Sequence, residues 1–275
     1  MVNQKNISIV IPSLKANKNL RNCLIALSVQ SLKPDNVLIV AQSDLTDYSE
    51  IIKDIELSIK ILHSPVGLAK SRNFGFKFVD KHCRIVGFVD DDTCLKDNFI
   101  EQVANNLVWA DACVGIVKTG STQRLHYPDK LTNITKRNVW KSAIESGFFI
   151  NTAVLQAVGT YQEDLGLGSG TKKNSGEGTE LYCRILNGGF NLVFDPELIA
   201  EEISVIRTTD ISKHFSYAIG TGYVYAKHFK FFIGFAHIFA PVFARHKGFT
   251  LKTRIAIVFG RSIGFLIRSK ELCFK

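Results

Sequence analysis

Four short apolar runs occur in the first 90 residues of the chain. Each is four or five residues long and mostly apolar, which is typical of strands buried on both faces in a parallel sheet. The sequence therefore predicts four early strands, the first of them ended by Pro12. The runs are ISIVI at 7–11, VLIV at 37–40, IKIL at 59–62 and IVGFV at 85–89.

Stretches with helical periodicity separate these runs. One of them begins after Asn17 and Asn19, which are candidate helix caps, and others are predicted over 68–79 and from Asp97 to residue 107. Alternating strands and helices predict an α/β layer fold with a mainly parallel sheet. The apolar face of the first helix is formed by Leu20, Cys23, Leu24 and Leu27.

Charge is distributed unevenly along the 275 residues. Apolar residues make up 46% and charged residues 21%, which excludes a disordered, collagen-like or disulfide-scaffold chain. Residues 203–275 hold twelve Lys or Arg and two acids, a net charge of +10, whereas residues 1–202 have a net charge of −1. We therefore expect a domain over 1–202 and a basic, aromatic-rich helical tail over 203–275.

Cysteine usage and the N-terminal residues favour the cytoplasm. The six cysteines contain no C-x-x-C pair and have no His neighbours at metal-binding spacing, as expected for reduced, buried thiols. The opening residues MVNQKN lead directly into the first predicted strand and do not resemble a secretory signal. No run of 18 apolar residues occurs, so we expect no transmembrane helix.

Three consecutive acids follow the fourth apolar run. Asp90, Asp91 and Asp92 lie where the chain leaves a predicted parallel strand, and α/β sheets bind ligands beyond the carboxyl ends of such strands. Adjacent carboxylates repel one another unless a cation offsets their charge. This segment predicts a divalent metal site, and the alternative is a solvated acidic turn that caps the helix near Asp97.

Four segments, in order, resemble the family 2 glycosyltransferases of the GT-A fold, of the bacterial surface-polysaccharide type. The resemblance runs from residue 7 to about residue 202 and implies an inverting enzyme. Such an enzyme moves a sugar from a nucleotide-sugar, most readily a UDP-sugar, to a hydroxyl of a glycan or lipid-linked glycan. The segments are SIVIPS at 8–13, GLAKSRNFGF at 67–76, FVDDDT at 88–93 and GFFINTAVLQAVGTYQEDLGLGSGTKKNSGEGTELYCRILNGGFNLVFDP at 147–196. The last combines a glycine-rich loop, an acidic pair and an Arg with a predicted strand that ends in Asp195 and Pro196.

The resemblance assigns a nucleotide-sugar site to several of these segments. It implies Pro12 and Ser13 at the end of the first strand, Arg72 beside the nucleotide, and Asp90 and Asp91 in the Asp-x-Asp loop. The alternative for Arg72 is an ordinary arginine on a helix surface.

The second strand departs from the family pattern. Family members usually have Asp directly after it, whereas this chain has Gln42 and then Asp44. We expect Asp44 from its shifted position, or Gln42 through its amide, to contact the base.

The resemblance also implies bound Mg or Mn. Asp92, together with Asp90, falls on the carboxylates that hold this ion against the diphosphate. A family His that completes the metal shell falls near Glu202, and His214 is the nearby alternative. Hard divalent ions prefer such oxygen ligands.

The segment GEGTEL supplies the candidate catalytic base. By resemblance Glu177 removes the acceptor proton, and Glu180 is the second acid, in the nucleotide-sugar site. The alternative is that both are first-turn acids of a helix, with Glu180 paired to Arg184. In the preceding glycine-rich loop, Lys172 and Lys173 are candidates to reach phosphate, and a solvated loop is the alternative.

The basic tail predicts attachment to an anionic membrane at its cytoplasmic face. An aromatic-rich stretch at 229–244 is too short to span a bilayer, and a series of basic residues seven apart follows it. A helix in the headgroup region fits this pattern, whereas nucleic acid does not, because the aromatics lie within aliphatic runs. The alternative is a helical pair that covers the catalytic core. The basic residues are Lys247, Arg254, Arg261, Arg268 and Lys275.

Two other functions use similar residues. A sugar-nucleotide nucleotidyltransferase also combines carboxylates and Mg on an α/β sheet, but it needs neither Glu177 nor a membrane-directed tail. A catalytically inactive glycan-binding subunit is favoured by the altered segment after the second strand.

Overall fold

The computed structural model describes residues 6–42, 48–203, 210–243 and 250–273. The chain divides into two compact units. The first comprises residues 1–66, 70–161 and 181–205, and the second comprises 67–69, 162–180 and 206–275. The boundary expected between residues 202 and 203 stays a prediction, but the segment 162–180 groups with the C-terminal residues rather than with its neighbours in sequence.

The first unit is built on one mixed sheet with the order β3-β2-β1-β4-β9-β6-β10-β5. Strands β1 to β4 pair in parallel, as do β6 and β10, whereas β9 runs antiparallel to β4 and β6. The predicted α/β fold is therefore confirmed. The strands of the described chain are β1 Ile7–Ser13, β2 Asn36–Ala41, β3 Ile59–His63, β4 Ile85–Phe88, β5 Thr93–Leu95, β6 Ala112–Thr119, β7 Thr122–Gln123, β8 Thr132–Asn133, β9 Phe148–Asn151 and β10 Leu192–Glu202.

Helices cover the sheet of the first unit and make up most of the second. The first helix has the predicted cap, because the Asn17 side chain accepts hydrogen bonds from the backbone N–H groups of Asn19 and Leu20. Its four predicted apolar residues are all buried. The helices are α1 Lys18–Ser28, α2 Ser49–Ile52, α3 Leu68–Phe76, α4 Phe99–Asn106, α5 Val139–Ser142, α6 Thr152–Val158, α7 Glu177–Asn187, α8 Ile211–His228, α9 Phe231–Phe243 and α10 Leu251–Cys273.

Strand β1 continues through Pro12, which the sequence placed after the strand. The carbonyl of Ser13 accepts a hydrogen bond from Gln42 in the direction of β2. Because hydrogen bonding alternates between sides along a strand, the N–H that Pro12 lacks would point to the other side, where pairing with β4 ends at Val10. Proline therefore costs this strand no ladder hydrogen bond.

Strand β10 likewise continues past Pro196. Its register with β6 shifts between Phe194 and Ile199, so the proline lies in an irregular stretch of the strand. The strand then reaches Glu202, which pairs with Thr93 of β5. This pairing brings the end of β10 to the acidic segment after β4.

In the second unit, α8 and α10 pack with their backbones close together. A Cβ on Gly264 would overlap the carbonyl oxygen of Ile219, and a Cβ on Gly222 would overlap that of Arg261. Glycine at these two positions therefore allows the close approach. No helix in the described parts of the chain is long and apolar enough to cross a membrane.

The arginines of the predicted basic stripe point toward neighbouring elements, and this corrects the prediction that they face lipid headgroups. Arg254 donates to the carbonyl oxygens of Pro241 and Val242 at 3.3 and 3.1 Å, and Arg261 donates to that of His237 at 2.7 Å. The carbonyls of Pro241 and Val242 lie in the last turn of α9, and the His237 carbonyl lies four residues before Pro241, which has no N–H to donate. The absence of intrahelical donors explains why cations of α10 bind these carbonyls.

The remaining members of the stripe are Arg268, Lys247 and Lys275. Arg268 lies over the Tyr223 ring and donates to Glu271 at 3.1 Å. Lys247 and Lys275 lie outside the described residues.

Candidate active site

The buried Arg72 forms an ion pair with the half-buried Asp90 after the carboxyl end of β4. Arg72 is 1% exposed, and its Nη2 donates to Asp90 Oδ1 at 2.8 Å. The hydroxyl of Ser146 donates to Asp90 Oδ2 at 2.5 Å, and the Tyr161 ring lies 5.2 Å from the guanidinium. Arg72 is therefore not a helix-surface arginine, and the Asp90 carboxylate is held in one orientation by two donors.

The pKa of Asp91, in the middle of this acidic segment, is raised above its ordinary value. Burial raises the pKa of Asp91 to about 6, with repulsion from Asp92 and Asp90 adding to the rise. A hydrogen bond with the Ser13 side chain opposes this rise in pKa and brings the end of β1 next to the acids. The structure thus joins Ser13 to the segment, as expected for one site.

Asp92 directly precedes β5, and Glu202 is the last residue of β10, which pairs with β5. The N–H of Ile203 donates to the carbonyl oxygen of Asp92 at 2.8 Å. Burial raises the pKa of Glu202, and Asp92 and Asp90 raise it further although Arg124 donates to Glu202 Oε2 at 2.7 Å. The carboxylate of Glu202 therefore lies within the electrostatic field of the acidic segment.

These carboxylates fit a divalent ion by their chemistry. Mg²⁺ is commonly held by one or two protein carboxylates while phosphate oxygens and water fill its remaining positions. Asp92 and Glu202 offer such oxygens where like charges already repel. Among the residues with described positions, no group of three or more His, Cys, Asp or Glu is placed to hold a metal ion by itself.

A cavity of about 360 Å³ opens at the carboxyl ends of β2 and β3. Its volume lies in the range of small-molecule sites. Gln42, one of the two candidates for contact with the base, lines it, whereas Asp44 lies outside the described residues. Pro12 is buried within β1, and its contact with the nucleotide-sugar stays a prediction. The other lining residues are His63, Ser64, Pro65 and Val66.

Glu177 is the first residue of α7 and belongs to the second unit. It is 6% exposed, and its carboxylate lies over Gly166, where a Cβ would come within 2.9 Å of both carboxylate oxygens. Gly166 has a φ of +88°, a conformation that other residues rarely adopt. The glycine-rich loop therefore provides the space in which the Glu177 side chain lies.

Glu180 is fully buried in the same unit and contacts the C-terminal end of α8. Lys227 Nζ lies 2.6 Å from Glu180 Oε1, and His228 Nε2 lies 3.1 Å from the same oxygen. Lys227 also donates to Gln162 at 2.6 Å, at the start of the loop. These contacts fix the first turn of α7 to α8, and contact between Glu180 and a donor sugar stays a prediction.

Arg184, the partner expected for Glu180, makes three hydrogen bonds within the first unit. Its guanidinium donates to the carbonyl oxygens that follow the end of α6, at 2.6 to 2.7 Å. This arginine therefore stabilises a helix C-terminus. The acceptors are Val158, Gly159 and Thr160.

Lys173 differs from the expected phosphate-binding lysine. It is buried, forms an ion pair with Asp164 and lies 4.2 Å from the centre of the Tyr223 ring. Lys172, by contrast, is exposed. The loop is thus anchored to α8 by one lysine and presents the other to solvent.

Comparison with protein families decides the assignment. The sequence model of glycosyl transferase family 2 matches residues 8–159, more than half of the chain. The chain belongs to glycosyl transferase family 2. No curated protein matches it significantly. The protein is therefore a glycosyltransferase, which uses a nucleotide-sugar donor and a glycan acceptor, and the nucleotidyltransferase alternative is set aside.

The matched region of the glycosyltransferase contains only part of the candidate site. Ser13, Gln42, Arg72 and the acidic segment 90–92 lie within residues 8–159, whereas Glu177, Glu180 and Glu202 follow them. His214, the alternative metal ligand, lies in the first turn of α8 in the second unit, and its role stays a prediction.

Three partners of the candidate residues were missed from the sequence. Ser146 donates to Asp90, Arg124 pairs with Glu202, and Lys227 pairs with Glu180. Each partner is 47 to 78 residues away along the chain. No local pattern marks such pairs, because they depend on how distant elements pack.

Proposed function

We propose that the protein is an inverting, metal-dependent glycosyltransferase. It would transfer a sugar from a UDP-sugar to a hydroxyl of a glycan, free or lipid-linked, during synthesis of a bacterial surface polysaccharide. The observation that carries this proposal is the Arg72–Asp90 pair beside Asp91 and Asp92, at the carboxyl edge of a family 2 sheet. Open α/β sheets bind nucleotides at such edges.

The donor is assigned to the first unit. The cavity at Gln42 suits a base, whose edge an amide can read through a donor and an acceptor. Asp90, already held by Arg72 and Ser146, is positioned to accept hydrogen bonds from a sugar hydroxyl without reorganising. Asp91 and Ser13, whose side chains hydrogen-bond to each other, are assigned to the same donor site as Asp90.

Asp92, with Asp90 and Glu202, is assigned to hold Mg or Mn. When bound, the ion would offset the charge of the departing diphosphate. Burial raises the pKa of both Asp91 and Glu202, and repulsion from neighbouring acids adds to the rise. This repulsion supports the assignment, because a bound cation would relieve it. The protein's contribution is to hold these oxygens on adjacent elements, the β4 end and β10.

Proton removal is assigned to Glu177 in the second unit. The acceptor oxygen attacks the anomeric carbon, the bond from that carbon to the diphosphate breaks, and the diphosphate leaves with the bonding electrons. The hydroxyl proton passes to the Glu177 carboxylate. The burial of Glu177 over Gly166 supports this role, because the surrounding loop holds the carboxylate in a defined position.

We place the enzyme on the cytoplasmic face of an anionic membrane, where a lipid-linked acceptor would be presented. The net charge of +10 over residues 203–275 supports this location.

A screen of nucleotide-sugars with Mn²⁺ or Mg²⁺ tests the function. We expect one donor to release nucleoside diphosphate faster with metal than with a chelator, and the product to have the inverted anomeric configuration by NMR. Retention of configuration, or equal rates with the chelator for every active donor, would contradict the proposal.

A further inference from the structure

Helix α9 presents an apolar, aromatic face to the outside of the second unit. Phe232 and Phe243 are 84% and 82% exposed. The helix contains no charged residue over its 13 positions. Exposed apolar patches of this kind mark interaction sites, since isolated soluble domains rarely carry them. The exposed phenylalanines are Phe231, Phe232, Phe235, Phe239 and Phe243.

Helix α10 carries a second exposed apolar face. Leu251, Ile255 and Phe259 are four residues apart, so they share one side of the helix, and Leu266 lies seven residues beyond Phe259 on the same side. Phe259 is 62% exposed. The outward side of α10 is therefore apolar over about four turns.

In the pair formed by α9 and α10, several polar side chains face the interior of the unit, which is the reverse of an ordinary solvated surface. The cations Arg254 and Arg261 donate to backbone carbonyl oxygens of α9, and the His237 ring stacks on Tyr225. The two helices lie side by side and antiparallel, because Phe231 contacts Phe265 while Val242 receives the bond from Arg254. Polar groups thus face inward and large apolar groups face outward.

The charges around these faces indicate the occupant. Lys230, Lys252 and Lys270 are exposed beside the apolar side chains. Residues 203–275 contain only two acids, Asp210 and Glu271, and Glu271 contacts Tyr223 and Arg268. A second copy of the chain would bring like charges together, whereas anionic lipid headgroups complement them.

We propose that the outward apolar faces of α9 and α10 insert into the interfacial layer of an anionic bilayer, with both helices lying in its plane. Apolar burial, rather than the arginine stripe, then supplies most of the binding. The exposed lysines add a preference for anionic lipid. This inference rests on the membrane location proposed above and names the surface that makes the contact.

Vesicle binding by the full chain tests this surface with two sets of variants. The apolar set is Phe232→Ser, Phe243→Ser and Phe259→Ser, and the charge set is Lys230→Gln, Lys252→Gln and Lys270→Gln. A matched control, Val108→Ser with Trp109→Ser, removes exposed apolar side chains from the first unit. Co-sedimentation uses phosphatidylcholine vesicles with and without phosphatidylglycerol, at low and high salt, and thermal melts check folding.

We expect the apolar set to lose at least tenfold in binding to both kinds of vesicle. The charge set should lose only the preference for phosphatidylglycerol, and the control should bind like wild type. Wild-type binding by the apolar set would overturn the proposal. So would absence of vesicle binding by the wild type, or a dimer that only the apolar set dissociates in sedimentation velocity.

Failure of the proposed function would be recognised separately. Donor turnover without vesicles is measured on the same preparations, and it does not require the helix faces. If the wild type binds vesicles but turns over no nucleotide-sugar, the surface stands and the transfer chemistry fails.

Discussion

Both units contain ion pairs, such as Arg72 with Asp90 in the first, but they differ in how acidic residues are grouped. In the first unit, like charges are gathered at one edge of a sheet, where Asp91 has a pKa raised to about 6 beside Asp90 and Asp92. In the second unit, buried charges are matched, as with Glu180 against Lys227 and His228. Gathered like charges require a ligand to offset them, whereas matched pairs mainly hold elements together.

Glu177 is the candidate catalytic base in the second unit, and its substitution has the largest expected effect. Glu177→Gln preserves size but cannot accept a proton, so we expect transfer to fall by about 10² to 10⁴. The affinity for nucleotide should stay nearly unchanged, because the donor residues belong to the first unit. Steady-state transfer and nucleotide binding are measured together.

The matched control for this substitution is Glu197→Gln, at an exposed glutamate of β10. It should transfer at the wild-type rate. If Glu177→Gln keeps transfer within a few-fold of wild type, a different residue must remove the proton.

Breaking a matched pair should affect stability. Lys227→Met leaves the buried Glu180 carboxylate without its closest cation, and loss of one partner of a buried pair costs about 3 to 5 kcal/mol. The second substitution Glu180→Gln should recover much of this loss by removing the buried charge. Urea unfolding measures both, with the exposed Lys230→Met as control.

A Lys227→Met protein as stable as the control would mean that the pair is not what fixes α7 to α8. Equal loss in the single and double variants would point instead to lost side-chain packing.

Local patterns predicted much of the first unit. The strands β1 to β4 and the buried face of α1 follow from residues close in sequence. Strand β5 was missed, because its pairing with β10 joins residues about a hundred positions apart. That pairing, together with the irregularity at Pro196, is what brings Glu202 beside the acidic segment.

The second unit was less predictable for a physical reason. A seven-residue spacing correctly indicates that Arg254, Arg261 and Arg268 share one side of a helix. The spacing does not reveal which neighbouring element covers that side. In the structure, Arg254 and Arg261 contact backbone carbonyls of α9. The exposed apolar side was therefore identified only from the packed helices.

The burial of Asp91, together with repulsion from Asp92 and Asp90, predicts a pH dependence of stability. The pKa of Asp91, about 6 in the folded protein, lies above the ordinary value of 3.8. Between pH 4 and 6 the folded protein therefore holds a proton that the unfolded chain loses, so stability falls as pH rises through this window. In chelator, we expect a decrease of about 1 to 3 kcal/mol from this residue.

Asp91→Asn should remove this contribution, and urea unfolding at several pH values measures the difference between the two proteins. If the free energies of unfolding of the two proteins change in parallel from pH 4 to 6, the pKa of Asp91 is not raised in the folded protein.

The most direct test of the division between the units is calorimetric titration with uridine diphosphate, with and without Mn²⁺. Wild type, Asp92→Ala and Glu177→Gln are compared, with the exposed Asp97→Ala as control. The account predicts that Mn²⁺ strengthens binding equally in wild type, Glu177→Gln and the control, and that Asp92→Ala loses this enhancement. Retained enhancement in Asp92→Ala, or its loss in Glu177→Gln, would contradict the account.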